Sequence, residues 1–356
     1  MNMVYKILYI EDQAPDSRVS DLNSLGFEVE TFDPSSDMKE ITAKINAGFH
    51  ALILDYRLTE GKGNACFDAP TIAQTSRSKH SLDHLEIPII LMSNQNVITD
   101  YFNDFTSQDL FDFSLTKGNF SGDLEKFSQK LMSFISAYKK IKDDKFDLAK
   151  ILNIEEELVH SRIKVKLASE KESVFKCSSL IYDDIIRSIG LLIGEDVLAA
   201  RLGVSKYSAD WNTLLESLEE TKYTGVFSDI HSRWWMSKID LWWQNTVKSK
   251  IPLRRLNAQE RVAILKENLS IENLELLTKT IHSHSTNFWT ICKYSNDPID
   301  PFDGIELLKR DYLPWQEKEY LSIDSAIAQI DDYKMYISAI DKKVIREIAV
   351  NLNTNG

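Results

Sequence analysis

The sequence predicts an α/β fold over residues 1–140, a doubly wound five-stranded parallel sheet, followed by a mainly α-helical remainder. Three observations predict it. Nearly continuous apolar runs alternate with amphipathic stretches as far as about residue 138, the pattern of parallel strands covered on both faces. After about residue 140 such runs largely vanish and apolar spacings of three and four take over, as in Ile181, Ile185, Ile189 and Leu192. The 356 residues are 43% hydrophobic and 27% charged with only 12 Gly and 8 Pro, which suits two compact domains and excludes disordered or collagen-like chains.

Five runs read as strands: 7–10, 27–32, 51–54, 87–92 and 111–115. Strands alternating with helices form βαβ units, and such sheets place their crevice at the carboxyl ends of the strands. Residues 141–175 read as a helical connector. Within it the Lys- and Glu-rich stretch 143–173 sets Ile151, Ile154, Leu158 and Val165 near a heptad seam, so it reads as a solvated connecting helix or, alternatively, a dimer contact, and a homodimer would form through this connector or through residues 1–140. Residues 176–356 form the mostly helical third part. Helix starts are expected at Asn257, with Glu260 three residues on, and at Ser270 or Ser322, and residues 296–304, with two prolines, read as a loop.

Charge and cysteine use bound the setting. A net charge of −12 repels polyanions, so broad binding to nucleic acid or an anionic membrane surface is not expected. Beyond residue 140 the balance is −5, from 34 acids and 29 bases, so no basic output domain emerges. Cys66, Cys177 and Cys292 lie far apart with no CxxC pair and read as free thiols of a reducing compartment. The first ten residues run straight into acids without a signal-peptide core, and the longest apolar candidate, 185–200, is broken by Arg187, Glu195 and Asp196. A cytoplasmic protein without membrane spans is expected.

The ends of the predicted strands carry chemistry. Glu11 and Asp12 end the first, Asp55 the third, Ser93 the fourth and Lys117 the fifth, so all five converge. Three gathered carboxylates repel one another unless a hard cation neutralises them, and oxygen ligands suit Mg²⁺. A lysine and a hydroxyl beside them suit a phosphoryl group. On KILYIEDQ, ALILDYRL, PIILMSN and SLTKG, in that order, residues 6–138 resemble the receiver domain of two-component response regulators, a flavodoxin-like fold. The resemblance implies that Asp55 accepts a phosphoryl group from a sensor histidine kinase. It implies that Glu11, Asp12, Asp55 and the main-chain carbonyl of Arg57 hold Mg²⁺, that Ser93 binds a phosphoryl oxygen, and that Lys117 pairs with Asp55 or the phosphate. Departures are visible: Thr59 and Gly118 stand where the family has proline, and Ser114 stands where many receivers carry a switching aromatic. Phe113 is adjacent but alternates to the opposite face. Residues 61–86 exceed the family's third helix, an insertion with His80, Asp83 and His84.

Signals beyond residue 140 are weaker. LAARLGVS, at 198–205, resembles the start of a helix-turn-helix, yet the following KYSADWNTLLESLEET is acidic and offers no base-reading face. RWWMSKIDLWW reads as a core helix or, more sharply, as a partner surface carried by Trp234, Trp235, Trp242 and Trp243, with Leu241 widening the face. A metal set drawn from Asp229, His231, His282, His284, Asp297, Asp300 and Asp303 lacks a ligand spacing, ENLELLTKTI flanking the histidines reads as helix, and surface histidines are expected. NDPIDPFDG does not fit a calcium loop. The expected function is a response regulator phosphorylated on Asp55 that controls a helical output domain through altered contacts. The alternatives are a non-catalytic adaptor or phosphate sink, and less favourably a DNA-binding regulator or an effector enzyme.

Overall fold

The structure, a computed structural model, describes residues 4–59, 65–78, 86–103, 109–120, 122–169, 173–308 and 311–355. The chain divides into two compact units, Met1–Leu180 with Gly225–Ile230, and Ile181–Thr224 with His231–Gly356.

In the first unit five parallel strands, β1 (Tyr5–Ile10), β2 (Phe27–Phe32), β3 (Ala51–Asp55), β4 (Ile89–Ser93) and β5 (Phe113–Thr116), pair in the order β2-β1-β3-β4-β5. This is the flavodoxin-like doubly wound order, with a switch point between β1 and β3. The continuous apolar runs are explained by cover on both faces: every residue of β3 and β4 is buried. Helices α1 (Asp16–Ser24), α2 (Met38–Ile45), α3 (Ala69–Ser78), α4 (Gln95–Asn103) and α5 (Leu124–Asp143) supply it. Ile41, Ile45, Ile72 and Ala73 pack against Leu8, Leu52, Leu54, Ile89 and Leu91. The register sets Ile10 opposite Leu54, Asp55 opposite Met92 and Ser93 opposite Thr116, which brings the carboxyl ends of four strands level.

At the amino end of β4, Asp112 accepts hydrogen bonds from Arg77 (2.8 Å), Tyr138 (2.6 Å) and the Ile89 amide (2.8 Å). The Arg77 guanidinium also donates to the carbonyls of Ile87 and Leu110 and stacks over Phe175 at 3.8 Å. A buried charge so fully partnered ties α3, β4 and α5 to the chain beyond residue 170.

The stretch expected to be one connecting helix is instead broken into α6 (Leu148–Leu152) and α7 (Ser161–Ser169), followed by α8 (Val174–Ile181). Asp147 caps α6, and Asn153 stops it in the left-handed conformation at φ 50°. Ile151 and Ile154 are buried while Val165 is 70% exposed, so these positions do not line one continuous heptad seam. The segment Gly225–Ile230 belongs to this unit too. Phe227, 2% exposed at φ 65°, lies 4.7 Å from the ring of Phe134 on α5. Asp229 accepts from the Ser133 hydroxyl at 2.6 Å and the Val226 amide donates to the Ile151 carbonyl at 3.1 Å.

In the second unit β6 (Leu192–Ile193) pairs antiparallel with β7 (Trp234–Trp235) beside α9 (Glu195–Leu202), α10 (Trp211–Ser217), α11 (Met236–Asn245) and α12 (Ala258–Leu269). Trp211, Trp234, Trp242, Trp243 and Trp289 share one core with Leu198, Leu214 and Leu265. Gly203 ends α9 at φ +75°, and a Cβ there would stand 2.7 Å from the Ala258 backbone, so only glycine allows the approach of α12. Asn257 and Glu260 form the expected capping box, and Ser322 caps α13 (Ile323–Ala328). Ser270 does not start a helix: it is the left-handed cap that ends α12, at φ 55°. ENLELLTKTI is likewise not helical, because its backbone is drawn into pairing with the turn after α9 (Ser205 N to Glu275 O 2.8 Å, Leu277 N to Gly203 O 3.0 Å). Among the described residues no helix is long and apolar enough to cross a membrane.

Candidate functional site

The site forms where β1, β3, β4 and β5 end. Glu11 continues the ladder of β1, its amide donating to the Phe32 carbonyl at 3.2 Å, so its side chain emerges on the face of Tyr9, two residues earlier. It is 3% exposed. Its Oε2 accepts from the Tyr9 hydroxyl (2.9 Å), Arg18 Nη2 (3.2 Å) and Lys117 Nζ (3.1 Å), and Oε1 lies 3.2 Å from the same ammonium. Asp55, last in β3 and 6% exposed, pairs through Oδ2 with Lys117 Nζ at 2.8 Å and accepts the Tyr56 amide on Oδ1 at 2.9 Å. Lys117 opens the short 3₁₀ turn Lys117–Asn119 directly after β5. Ser93 closes β4, buried, one position beyond the partner of Asp55.

Glu11, Asp12 and Asp55 each bring one carboxylate oxygen within 4.8 Å of the others. Hard oxygen donors at that spacing fit a small divalent cation such as Mg²⁺, with room left for water and phosphate oxygens. Once Asp55 is ionised, three carboxylates face Lys117 and Arg18 and the cluster is negative. Burial pushes the Asp55 carboxyl up to about 7; the Lys117 hydrogen bond opposes this, and the Glu11 charge adds to it. Burial, with Glu11 beside it, also raises the Tyr9 phenol.

The structure thus brings Glu11, Asp12, Asp55 and Lys117 together, with Ser93 closing the neighbouring strand and Arg57 in the exposed loop just after Asp55. Sequence reasoning missed Tyr9 and Arg18. The period of a strand placed Tyr9 on the Glu11 face, a usable signal; nothing in the sequence aims Arg18 of α1 at it. Phe113 turns to α5, 5.1 Å from Phe134 and 6.0 Å from Phe127, and Ser114 occupies the other face.

The tryptophan surface is corrected. Trp234, Trp235, Trp242 and Trp243 are 4%, 3%, 6% and 1% exposed, because two are consumed by β7 and two line the inner face of α11, where Trp243 donates to the Ile251 carbonyl at 2.9 Å. Only Leu241 of that helix's apolar set stays outside, 48% exposed. Among the described residues the C-terminal histidines and acids do not gather: His282 pairs with Asp324 at 2.7 Å, His231 contacts the Tyr182 hydroxyl at 3.3 Å, and Asp303 accepts from the Ser283 hydroxyl and the His284 and Ser285 amides. Among the described residues the acidic trio is the one group placed to hold a metal. His80, Asp83 and His84 lie outside the described residues.

No family model and no characterised relative matches the chain. Among solved structures its N-terminal part is similar to a response regulator receiver domain from Methylobacillus flagellatus, 19% identical with a TM-score of 0.28 over 36% of this chain and 99% of that one. It is also similar to the receiver domain of a sensor histidine kinase from Pseudomonas aeruginosa, which holds a magnesium ion in its active-site cleft (20%, 0.29, 38% and 99%). A chemotaxis response regulator of Vibrio cholerae gives 18%, 0.28, 36% and 99%. The strand order and register of the N-terminal unit define a flavodoxin-like, doubly wound fold.

Proposed function

We propose that this protein is a response regulator whose Asp55 accepts a phosphoryl group from a sensor histidine kinase. The observation that carries the reading is the convergence of Glu11, Asp12 and Asp55 with Lys117, 2.8 Å from Asp55, at the end of a doubly wound sheet. In the transfer an Asp55 oxygen attacks phosphorus, the bond from phosphorus to the donor's imidazole nitrogen breaks, and an acyl phosphate forms. Lys117, released from Asp55, stabilises the equatorial oxygens, and Ser93 hydrogen-bonds one of them. Glu11, Asp12, Asp55 and the Arg57 carbonyl would hold Mg²⁺, which would supply countercharge to the transferring group. The acceptor must be ionised to attack, and Lys117 is the group that favours its ionised form.

The new group carries roughly one and a half to two negative charges, enough to bias a bistable contact. Lys117 itself follows directly from β5, whose Phe113 stacks through Phe134 onto Phe227. Both flanks of Gly225–Ile230 run in the second unit, so a shift of β5 and α5 would be felt where that segment is seated. The presence of Ser114 at the usual aromatic position favours a second reading, a scaffold that binds its partner regardless of phosphate.

Intact-protein mass after incubation with acetyl phosphate and Mg²⁺ tests the first reading. One added phosphoryl group in the wild type and none in Asp55→Asn is expected. Equal labelling of the variant, or none in the wild type with either acetyl phosphate or a cognate kinase, would refute it; partner capture that ignores Asp55→Asn would favour the scaffold.

A further inference from the structure

Glu11 sits among three donors on one oxygen, an unusual crowding for a metal ligand. Tyr9, wholly buried, accepts from Arg18 Nε at 3.0 Å, and of the two acceptors its single proton can reach, Glu11 Oε2 at 2.9 Å and Met92 Sδ at 3.3 Å, the carboxylate is nearer and far stronger. Arg18 closes the triangle with Nη2 on the same Oε2 at 3.2 Å. Two guanidinium nitrogens are thus spent on one buried phenol and carboxylate pair, while the side chain keeps 23% of its surface in solvent. Lys117 lies 3.1 Å from Oε2 and 3.2 Å from Oε1, so both oxygens are engaged and Oε2 carries three donors on two lone pairs; a cation arriving at Glu11 must displace a donor.

We propose that Arg18, seated on Tyr9, is a built-in competitor for the divalent cation: it occupies half of the Glu11 carboxylate and sets a lower metal affinity than the acidic trio would have alone. The inference rests on the reading of this site as a metal-dependent receiver. Two effects act in the same direction. A fixed positive charge 3.2 Å from a ligand oxygen repels an arriving dication. The carboxylate must also give up, or share, a charge-assisted hydrogen bond when it ligates, a bond that is strong because its acceptor is buried. Arg18 can swing out because its side chain already reaches solvent, whereas Tyr9 is wholly buried. Glutamate's extra methylene lets the carboxylate lean back to the arginine. Metal loading then becomes an exchange of one cation for another at Glu11, and the protein's response to phosphoryl donors is graded by the Mg²⁺ concentration.

The test is calorimetric titration of Mg²⁺ into the full chain at fixed ionic strength, with no phosphoryl donor. Arg18→Gln is expected to bind Mg²⁺ about tenfold more tightly, the size expected for one like charge removed beside a partly exposed site. Arg18→Lys, which keeps the charge and loses the fork, is expected to stay within about threefold of the wild type. Arg18→Met repeats the charge removal should the glutamine variant fold poorly, with far-UV circular dichroism as the check. Wild-type binding with equal or weaker affinity in both neutral variants would overturn the proposal, as would an Arg18→Lys variant that tightens as much as Arg18→Gln. Failure of every variant and of the wild type to bind Mg²⁺ would sink the receiver reading itself.

Discussion

In the metal-free protein, Asp55→Asn should change stability in a way that depends on pH with a defined sign. The folded chain holds the Asp55 proton up to about 7, burial being the main cause. An unfolded aspartate holds it only to about 4. Below that both forms are protonated and the group contributes no difference. Between about 4 and 7 the unfolded chain ionises and the folded one keeps its proton, so folded stability falls as pH rises across that window and levels off above it. Three units at about 1.4 kcal/mol each set an upper bound of about 4 kcal/mol, and we expect about 2 to 4. Asparagine does not titrate. The absolute difference between the proteins includes the lost Lys117 pair; its slope with pH isolates the carboxyl, so the variant should gain on the wild type from pH 4.5 to pH 8. All seven tryptophans, Trp211 to Trp315, lie in the second unit, which makes indole fluorescence the wrong probe. Hydrogen exchange of the peptide spanning β3, measured in EDTA across the pH range, reads the correct element. A difference that stays flat, or that shrinks as pH rises, would refute a buried and proton-retaining Asp55.

Two further outcomes are expected. Phe227→Ala deletes a ring that is 2% exposed and packed on Phe134, and should cost about 3 kcal/mol, seen as faster amide exchange in α5; unchanged protection there would mean the segment is not seated on that helix. Asp112→Asn strands the Arg77 guanidinium in the interior and should destabilise by about 3–5 kcal/mol in urea denaturation, whereas the pair Arg77→Met with Asp112→Leu should recover much of that loss; a single variant as stable as the wild type would refute a charge-paired core there.

The sheet was legible because a parallel strand buried on both faces writes itself as an apolar run with no polar partner alternation. The five runs at 7–10, 27–32, 51–54, 87–92 and 111–115 all become strands, with ends shifted by one or two residues where Asp112 and Pro88 act as ladder partners rather than members. The helical half was legible in kind but not in detail. Ile151, Ile154, Leu158 and Val165 share a spacing that a seam and a broken helix pair both satisfy; the left-handed turn at Asn153 decides, and its conformation is fixed by what α6 packs against. Ser270 shows the same limit. A serine beside apolar residues caps either end of a helix, and only the pairing of residues 275–277 with the turn after α9 makes it a terminus.

At the site the difference is one of direction as well as position. Residues that end strands are placed by topology alone, so Glu11, Asp12, Asp55, Ser93 and Lys117 follow once the strand order is known. Tyr9 is different, since it looks like an ordinary strand residue, and it is buried as one would be. What makes it part of the site is a donor that reaches it from a helix: with Arg18 at 3.0 Å on its oxygen, the phenol gives its proton to Glu11 Oε2, adding to the donors already on that oxygen. Glu11 is then more than one of three acids: Arg18 and Tyr9 stand behind it, so the carboxylate and its two supports form one device, visible as three unrelated residues in the sequence and as a closed triangle in space.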